Sequence, residues 1–133
     1  MPDLRIILVD DNEIDLFFHD KLLKYQGISN NIIPFNGVQP ALEFLSSNLS
    51  FPEFPITLIL LDIQMPEMDG FDFLRLFESF PENMKDKCHI VMVSSSLDFG
   101  DISRAAANPR VMKLLKKPLN AQELKEIISS FPY

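Results

Sequence analysis

Four strongly apolar runs each end beside residues that do ionic chemistry. Residues 5–9 lead into Asp10 and Asp11, residues 55–61 into Asp62, residues 89–93 into Ser94, and residues 111–115 into Lys116 and Lys117. Three carboxylates drawn to within a few ångströms repel one another strongly, and such a group persists around a cation. Hard oxygen donors, few in number and leaving room for water, suit magnesium better than calcium or a soft metal. Each residue taken alone has a simpler role. Asp10 and Asp11 would cap a helix, Asp62 would open a turn before Pro66, and Lys117 would be a solvated strand end. Four strand ends carrying matched polar groups together point to a site.

Convergence requires that the runs be neighbouring strands. The first three are near-continuous in branched aliphatic residues, the pattern of a strand covered on both faces of a parallel sheet. A weaker fifth run covers residues 31–35. The period becomes helical between the runs. Ile14, Phe17, Phe18, Leu22 and Tyr25 make one apolar stripe, begun by Asn12 as N-cap and closed by Lys24 and Gly27. Val38, Ala41, Leu42 and Leu45 make another, with Pro40 in its first turn. Phe71, Leu74 and Phe77 follow an Asp69 cap. Leu124, Ile127, Ile128 and Phe131 follow Asn120 and Glu123, read as a capping box. Residues 97–108 read as a loosely packed helix, its apolar side mostly Ile102 and alanines. Alternating strands and helices with short loops imply right-handed crossovers and an α/β fold: a doubly wound, five-stranded parallel sheet with helices on both faces. Ligands of such sheets bind beyond the carboxyl ends of the strands.

A chain of 133 residues, 47% hydrophobic, fills one domain. The expectation is a single domain over 1–133 with no output domain. Twelve Lys and Arg against nineteen Asp and Glu give a net charge of −7, which argues against nucleic acid and anionic membrane as partners. Cys88 is the only cysteine, so no internal disulfide forms, and it reads as a small core residue. No secretory leader and no apolar stretch near the roughly 20 residues of a membrane span is present, so the expected location is cytoplasmic. His19 and His89 have no ligand spacing and read as structural or solvated. The loop 46–55, with Phe51, Pro52 and Phe54, carries no nameable chemistry.

The stretches Ile6-Ile-Leu-Val-Asp-Asp-Asn12, Leu58-Ile-Leu-Leu-Asp-Ile-Gln-Met-Pro-Glu-Met-Asp-Gly-Phe71, Val91-Met-Val-Ser-Ser95 and Lys116-Lys-Pro-Leu119 resemble the receiver domain of two-component response regulators, in its single-domain form. The resemblance runs from about Leu4 to the final helix. It implies the flavodoxin-like strand order 2-1-3-4-5, which receiver proteins illustrate. It also implies that Asp62 is the phosphoacceptor, that Asp10, Asp11, Asp62 and the backbone carbonyl of Gln64 hold Mg2+, and that Ser94 and Lys117 contact the phosphoryl group. The implied donor is a sensor histidine kinase or histidine phosphotransfer protein, and the implied activity is phosphorelay or switching, not enzymatic turnover of a separate substrate. Gly70 sits where a side chain would obstruct the backbone, and Lys117-Pro118 is a candidate cis peptide.

Three positions depart from the family pattern or are variable in it. Leu114 stands where many receivers carry an aromatic residue, while Gln64 and Ser96 occupy positions that tune phosphoryl lifetime. Two other functions compete. An interaction module without phosphoryl chemistry has no use for the intact set of five polar residues. An aspartyl phosphohydrolase typically carries a second acid two residues after its nucleophile, where this chain has Gln64.

Overall fold

The computed structural model describes residues 4–48 and 54–131. Five strands form one parallel sheet: β1 (Arg5–Val9), β2 (Asn31–Phe35), β3 (Thr57–Asp62), β4 (Cys88–Ser94) and β5 (Val111–Lys116). Their order is β2-β1-β3-β4-β5, the doubly wound arrangement that the resemblance to receiver domains implies. Every residue of β1 and β3 is buried, the aliphatic run between Arg5, Thr57 and Asp62 at the strand ends being what central strands require. Pro34 is tolerated in β2 because that strand lies at the sheet edge.

Among the described residues there are six helices, five that connect strands, α1 (Glu13–Tyr25), α2 (Val38–Ser47), α3 (Gly70–Phe77), α4 (Glu82–Lys85) and α5 (Phe99–Ala107), and α6 (Ala121–Ser129), which follows β5. Alternate strand residues feed two cores. Ile7, Val9, Ile59, Leu61, Ile90 and Met92 pack with α2 and α3, while Ile6, Leu8, Leu58, Leu60, Val91 and Val93 pack with Leu23 of α1 and Leu124 and Ile128 of α6. Burying both faces of the sheet in this way supplies the main stabilisation, since each fully buried large aliphatic contributes about 1.5–3 kcal/mol.

Local chemistry sets the helix ends. Asn12 accepts hydrogen bonds from the Ile14 and Asp15 amides to start α1, and Asn120 accepts from the Glu123 amide to start α6. The reciprocal capping box forms at α3, where Asp69 and Asp72 each accept the other's backbone N–H. At Asn120 the structure shows the Asn120-to-Glu123 half. Gly27, at φ 68°, ends the α1 turn in the left-handed region.

The apolar stripe anticipated on the first helix is a correction. Ile14, Phe17, Phe18 and Tyr25 are exposed by 78, 66, 51 and 88%, and the buried residues are His19 and Leu23, with Leu16 and Leu22 partly covered. Helix α1 carries apolar side chains around much of its circumference, so period alone does not select the covered face. In α2, Val38, Ala41, Leu42 and Leu45 are the buried residues, as read from the sequence. In α3, Phe73 joins Leu74 and Phe77 in the core, and Phe71 is half-buried. Helix α5 buries only Ala105, in keeping with loose packing. The short α4 was not anticipated. Its Lys85 is buried and pairs with Glu82 at 3.0 Å and Glu78 at 3.3 Å. Phe51 and Pro52 lie outside the described residues.

Candidate functional site

Strand register places the acidic residues side by side. Val9 is paired with Leu61, so Asp10 and Asp62 leave adjacent strands at the same level, and Asp62 is itself in register with Val93, beside Ser94. On the far side Ser94 is paired with Lys116, and the Lys117 amide donates to the Ser94 carbonyl at 2.8 Å. The Lys117–Pro118 peptide is cis. One sheet edge therefore gathers Asp10, Asp11, Asp62, Ser94 and Lys117.

Asp10, Asp11 and Asp62 each offer a carboxylate oxygen, and these oxygens all lie within 4.8 Å of one another. Asp10 and Asp62 are buried, whereas Asp11 is exposed at the mouth. The Asp10 backbone is fixed by its N–H donating to the Phe35 carbonyl, and its side-chain Oδ1 accepts the Asn12 amide at 2.9 Å. Burial, followed by the charge of Asp10, pushes Asp62 up from 3.8 to about 7, against the opposing pull of Lys117. Charge of this kind, incompletely compensated by the protein's own cations, fits a hard divalent cation at the three carboxylates.

Lys117 pairs with Asp10 at 2.8 Å, with Asp15 at 2.9 Å and with Asp62 at 3.5 Å. Burial alone would lower its pKa, but the hydrogen bonds to Asp10 and Asp15 and the charge of Asp62 outweigh it and hold the ammonium well above its ordinary value. Nothing in the sequence marks Asp15. An acid in the first turn of a helix is ordinary chemistry, and its partner lies 102 residues away.

Ser94 is fully buried, and its hydroxyl donates to the Ser96 carbonyl at 2.6 Å while accepting the Ser96 amide at 3.2 Å. The hydroxyl is thus engaged in its own loop. Gln64 lies two residues beyond β3 with an exposed side chain. Pro66 and Gly70 bound the loop after Asp62, and the Gly70 amide donates to the Ile63 carbonyl at 2.9 Å. A Cβ at Gly70 would lie 2.5 Å from the Asp62 carbonyl oxygen, so that position has no room for a side chain.

His19 is buried and, with Asp10 and Asp62, lines a cavity of about 10 Å³ behind the carboxylates. Burial holds it below the ordinary imidazole range, although Asp10 and Asp15 pull the other way. His89 stacks on Phe131 at 4.0 Å between centroids. Neither belongs to the acidic cluster. A larger open cleft of about 820 Å³ lies between α3 and α5, away from the cluster. Its cations are engaged: Arg75 with Asp72, Arg110 with Glu78 and Glu82, and Arg104 over the Phe71 ring at 3.8 Å.

Comparison with known proteins agrees with this geometry. The response regulator receiver domain family model matches residues 6–129. A response regulator receiver protein from Dyadobacter fermentans superposes with a TM-score of 0.88 at 37% identity, covering 95% of each chain. The receiver domain of the histidine kinase CKI1 from Arabidopsis thaliana, solved with Mg2+, superposes with a TM-score of 0.78 at 26% identity, covering 92% of this chain and 90% of that one. The two-component response regulator ARR12 of Arabidopsis thaliana is 28% identical over 93% of this chain, but the match spans only 19% of that relative. With the strand order, the acidic edge and a family match over nearly the whole length in agreement, the chain belongs to the response regulator receiver domains of two-component signalling.

Proposed function

We propose that this receiver accepts a phosphoryl group on Asp62 from a phosphohistidine donor, in a magnesium-dependent reaction, and acts as a phosphorelay intermediate or a protein-binding switch. The observation that carries the reading is the position of Asp62: buried, within 4.8 Å of two further carboxylates and 3.5 Å from Lys117. An Asp62 oxygen attacks phosphorus, the P–N bond to the donor imidazole breaks as the P–O bond forms, and an acyl phosphate results. Such transfer depends on alignment and on neutralising charge over the equatorial oxygens more than on covalent work by the protein.

Asp10, Asp11, Asp62 and the Gln64 backbone carbonyl would hold Mg2+, which supplies that neutralisation when bound. That the CKI1 receiver domain was solved with Mg2+ supports magnesium as the cation. Lys117 supplies a second positive charge and hydrogen-bond donors. Ser94 exchanges its Ser96 partner for a phosphoryl oxygen, and the loop behind it moves with it.

That movement reaches the loosely held α5 and the edge strand β5, where Leu97, Phe99, Ile102 and Met112 are exposed. Leu114 is packed against the core cluster beneath and carries no aromatic ring to rotate, so the change at this face comes from backbone movement. The downstream partner is a protein that reads this surface. Nucleic acid is a poor partner for a chain of net charge −7. No helix among the described residues is long and apolar enough to cross a membrane.

Phosphotransfer from a phosphorylated histidine phosphotransfer protein tests the reading. Label should pass to the wild-type chain and not to Asp62→Asn. Transfer that survives Asp62→Asn would place the acceptor elsewhere.

A further inference from the structure

Lys117 is held by more carboxylate than the acidic triad supplies. Of its three partners, Asp10 and Asp62 belong to the triad, and Asp15 does not. Asp15 stands in the first turn of α1, and its side chain is 34% exposed. Its hold on Lys117 is independent of the cluster. Asp10 uses one oxygen on the Asn12 amide and the other on Lys117, so both of its oxygens already have partners when a cation at the triad draws on that carboxylate. Asp15 carries no such competing demand. Its bond at 2.9 Å is shorter than the 3.5 Å separation from Asp62, and it pulls the ammonium toward α1.

We propose that Asp15 is a positioning residue that restrains Lys117, competing with the phosphoryl oxygens for its charge and thereby setting how tightly a phosphoryl group is held at Asp62. The inference rests on the reading of Asp62 as phosphoacceptor. An ammonium has three donors, and a carboxylate that occupies one of them also neutralises charge that would otherwise face the phosphoryl group. Removing that negative charge while keeping a neutral acceptor in place leaves Lys117 free to turn inward.

The test is a thermodynamic cycle read by beryllofluoride binding in the presence of magnesium. Asp15→Asn should bind beryllofluoride about three- to fivefold more tightly than wild type, the size of a partly exposed ion pair. Asp15→Glu should bind like wild type. In a Lys117→Met background the Asp15→Asn gain should vanish, because the coupling runs through the ammonium. A gain of the same size in that background would overturn the proposal, since a general field effect needs no Lys117, and so would unchanged or weaker binding by Asp15→Asn alone.

A second measurement in chelator uses no phosphoryl analogue. The Lys117 side-chain ammonium signal by nitrogen-15 NMR should shift in Asp15→Asn and stay fixed in Asp20→Asn, whose carboxylate pairs with Lys24. An unmoved Lys117 signal would overturn the restraint. Absence of any magnesium-dependent beryllofluoride binding by the wild type would instead overturn the reading of Asp62, and the competition with it, while the NMR result would still report whether Asp15 holds Lys117.

Discussion

Gly70 packs directly against the backbone of Asp62, and a methyl group there would meet the Asp62 carbonyl oxygen at 2.5 Å and the Met92 side-chain methyl at 2.9 Å. The first residue of α3 and the last of β3 are thus in contact through backbone, and the loop between them is drawn tight by the Gly70 amide bonding to Ile63. Gly70→Ala should cost about 1–3 kcal/mol, the usual penalty of overpacking a close contact. Gly100→Ala is the control. Its added methyl would find nothing nearer than an Asp98 side-chain oxygen at 3.4 Å, and it lies within α5. Alanine there should be neutral or stabilising by up to about 1 kcal/mol. Urea denaturation of both variants measures the difference, and equal effects would contradict the packing account.

The raised Asp62 makes stability depend on pH in a direction opposite to that of a salt-bridged carboxylate. Its folded value, about 7, lies above the ordinary 3.8. The charged form is therefore disfavoured by folding. The stabilisation associated with its proton is fully present below about pH 4 and is lost as pH rises through about 7. In chelator, the stability of Asp62→Asn relative to wild type should grow as pH rises from about 4 to about 8. Because a divalent cation competes with the same proton, apparent magnesium affinity should weaken up to about tenfold per unit below pH 7. Calorimetric titration at pH 5.5 and 7.5 would show it. A pH-independent stability difference and a pH-independent magnesium affinity would contradict the assigned environment of Asp62.

Helix α1 offers a direct comparison between an apolar residue that is covered and one that is not. Leu23 is fully buried, whereas Phe17 is two-thirds exposed and lies within 5.4 Å of the Lys21 ammonium. Leu23→Ala should cost about 2–5 kcal/mol and Phe17→Ala no more than about 0.5 kcal/mol. Thermal or chemical denaturation reads both. A large loss from Phe17→Ala would mean that the stripe anticipated from period is the packed face after all.

These cases show what the linear sequence carries and what it does not. The strands were legible because a strand covered on both faces must be apolar along its length, and β1 and β3 are so between Arg5, Thr57 and Asp62 at their ends. Helix α2 was legible for a related reason, since its apolar residues fall on a single side. Helix α1 was misread because Ile14, Phe17, Phe18 and Tyr25 satisfy a helical period as well as Leu16, His19 and Leu23 do, and only the tertiary position of the helix selects between them. At the site, the gathering of Asp10, Asp11, Asp62, Ser94 and Lys117 followed from their places at strand ends. Asp15 was hidden because its role is a long-range pairing with Lys117, and an acid in a first turn gives no sign of what it faces. The four-residue α4, with Lys85 clamped by Glu78 and Glu82, likewise depends on contacts that period does not encode.

The central claim is that Asp62 takes up a phosphoryl group with the help of a divalent cation, and the most direct measurement is intact mass after incubation with acetyl phosphate and magnesium. The account predicts one phosphoryl adduct on the wild type, stable to acid and labile to base, that is absent from Asp62→Asn and absent when chelator replaces magnesium. An unmodified wild-type mass under these conditions, or an adduct that persists in Asp62→Asn, would contradict it.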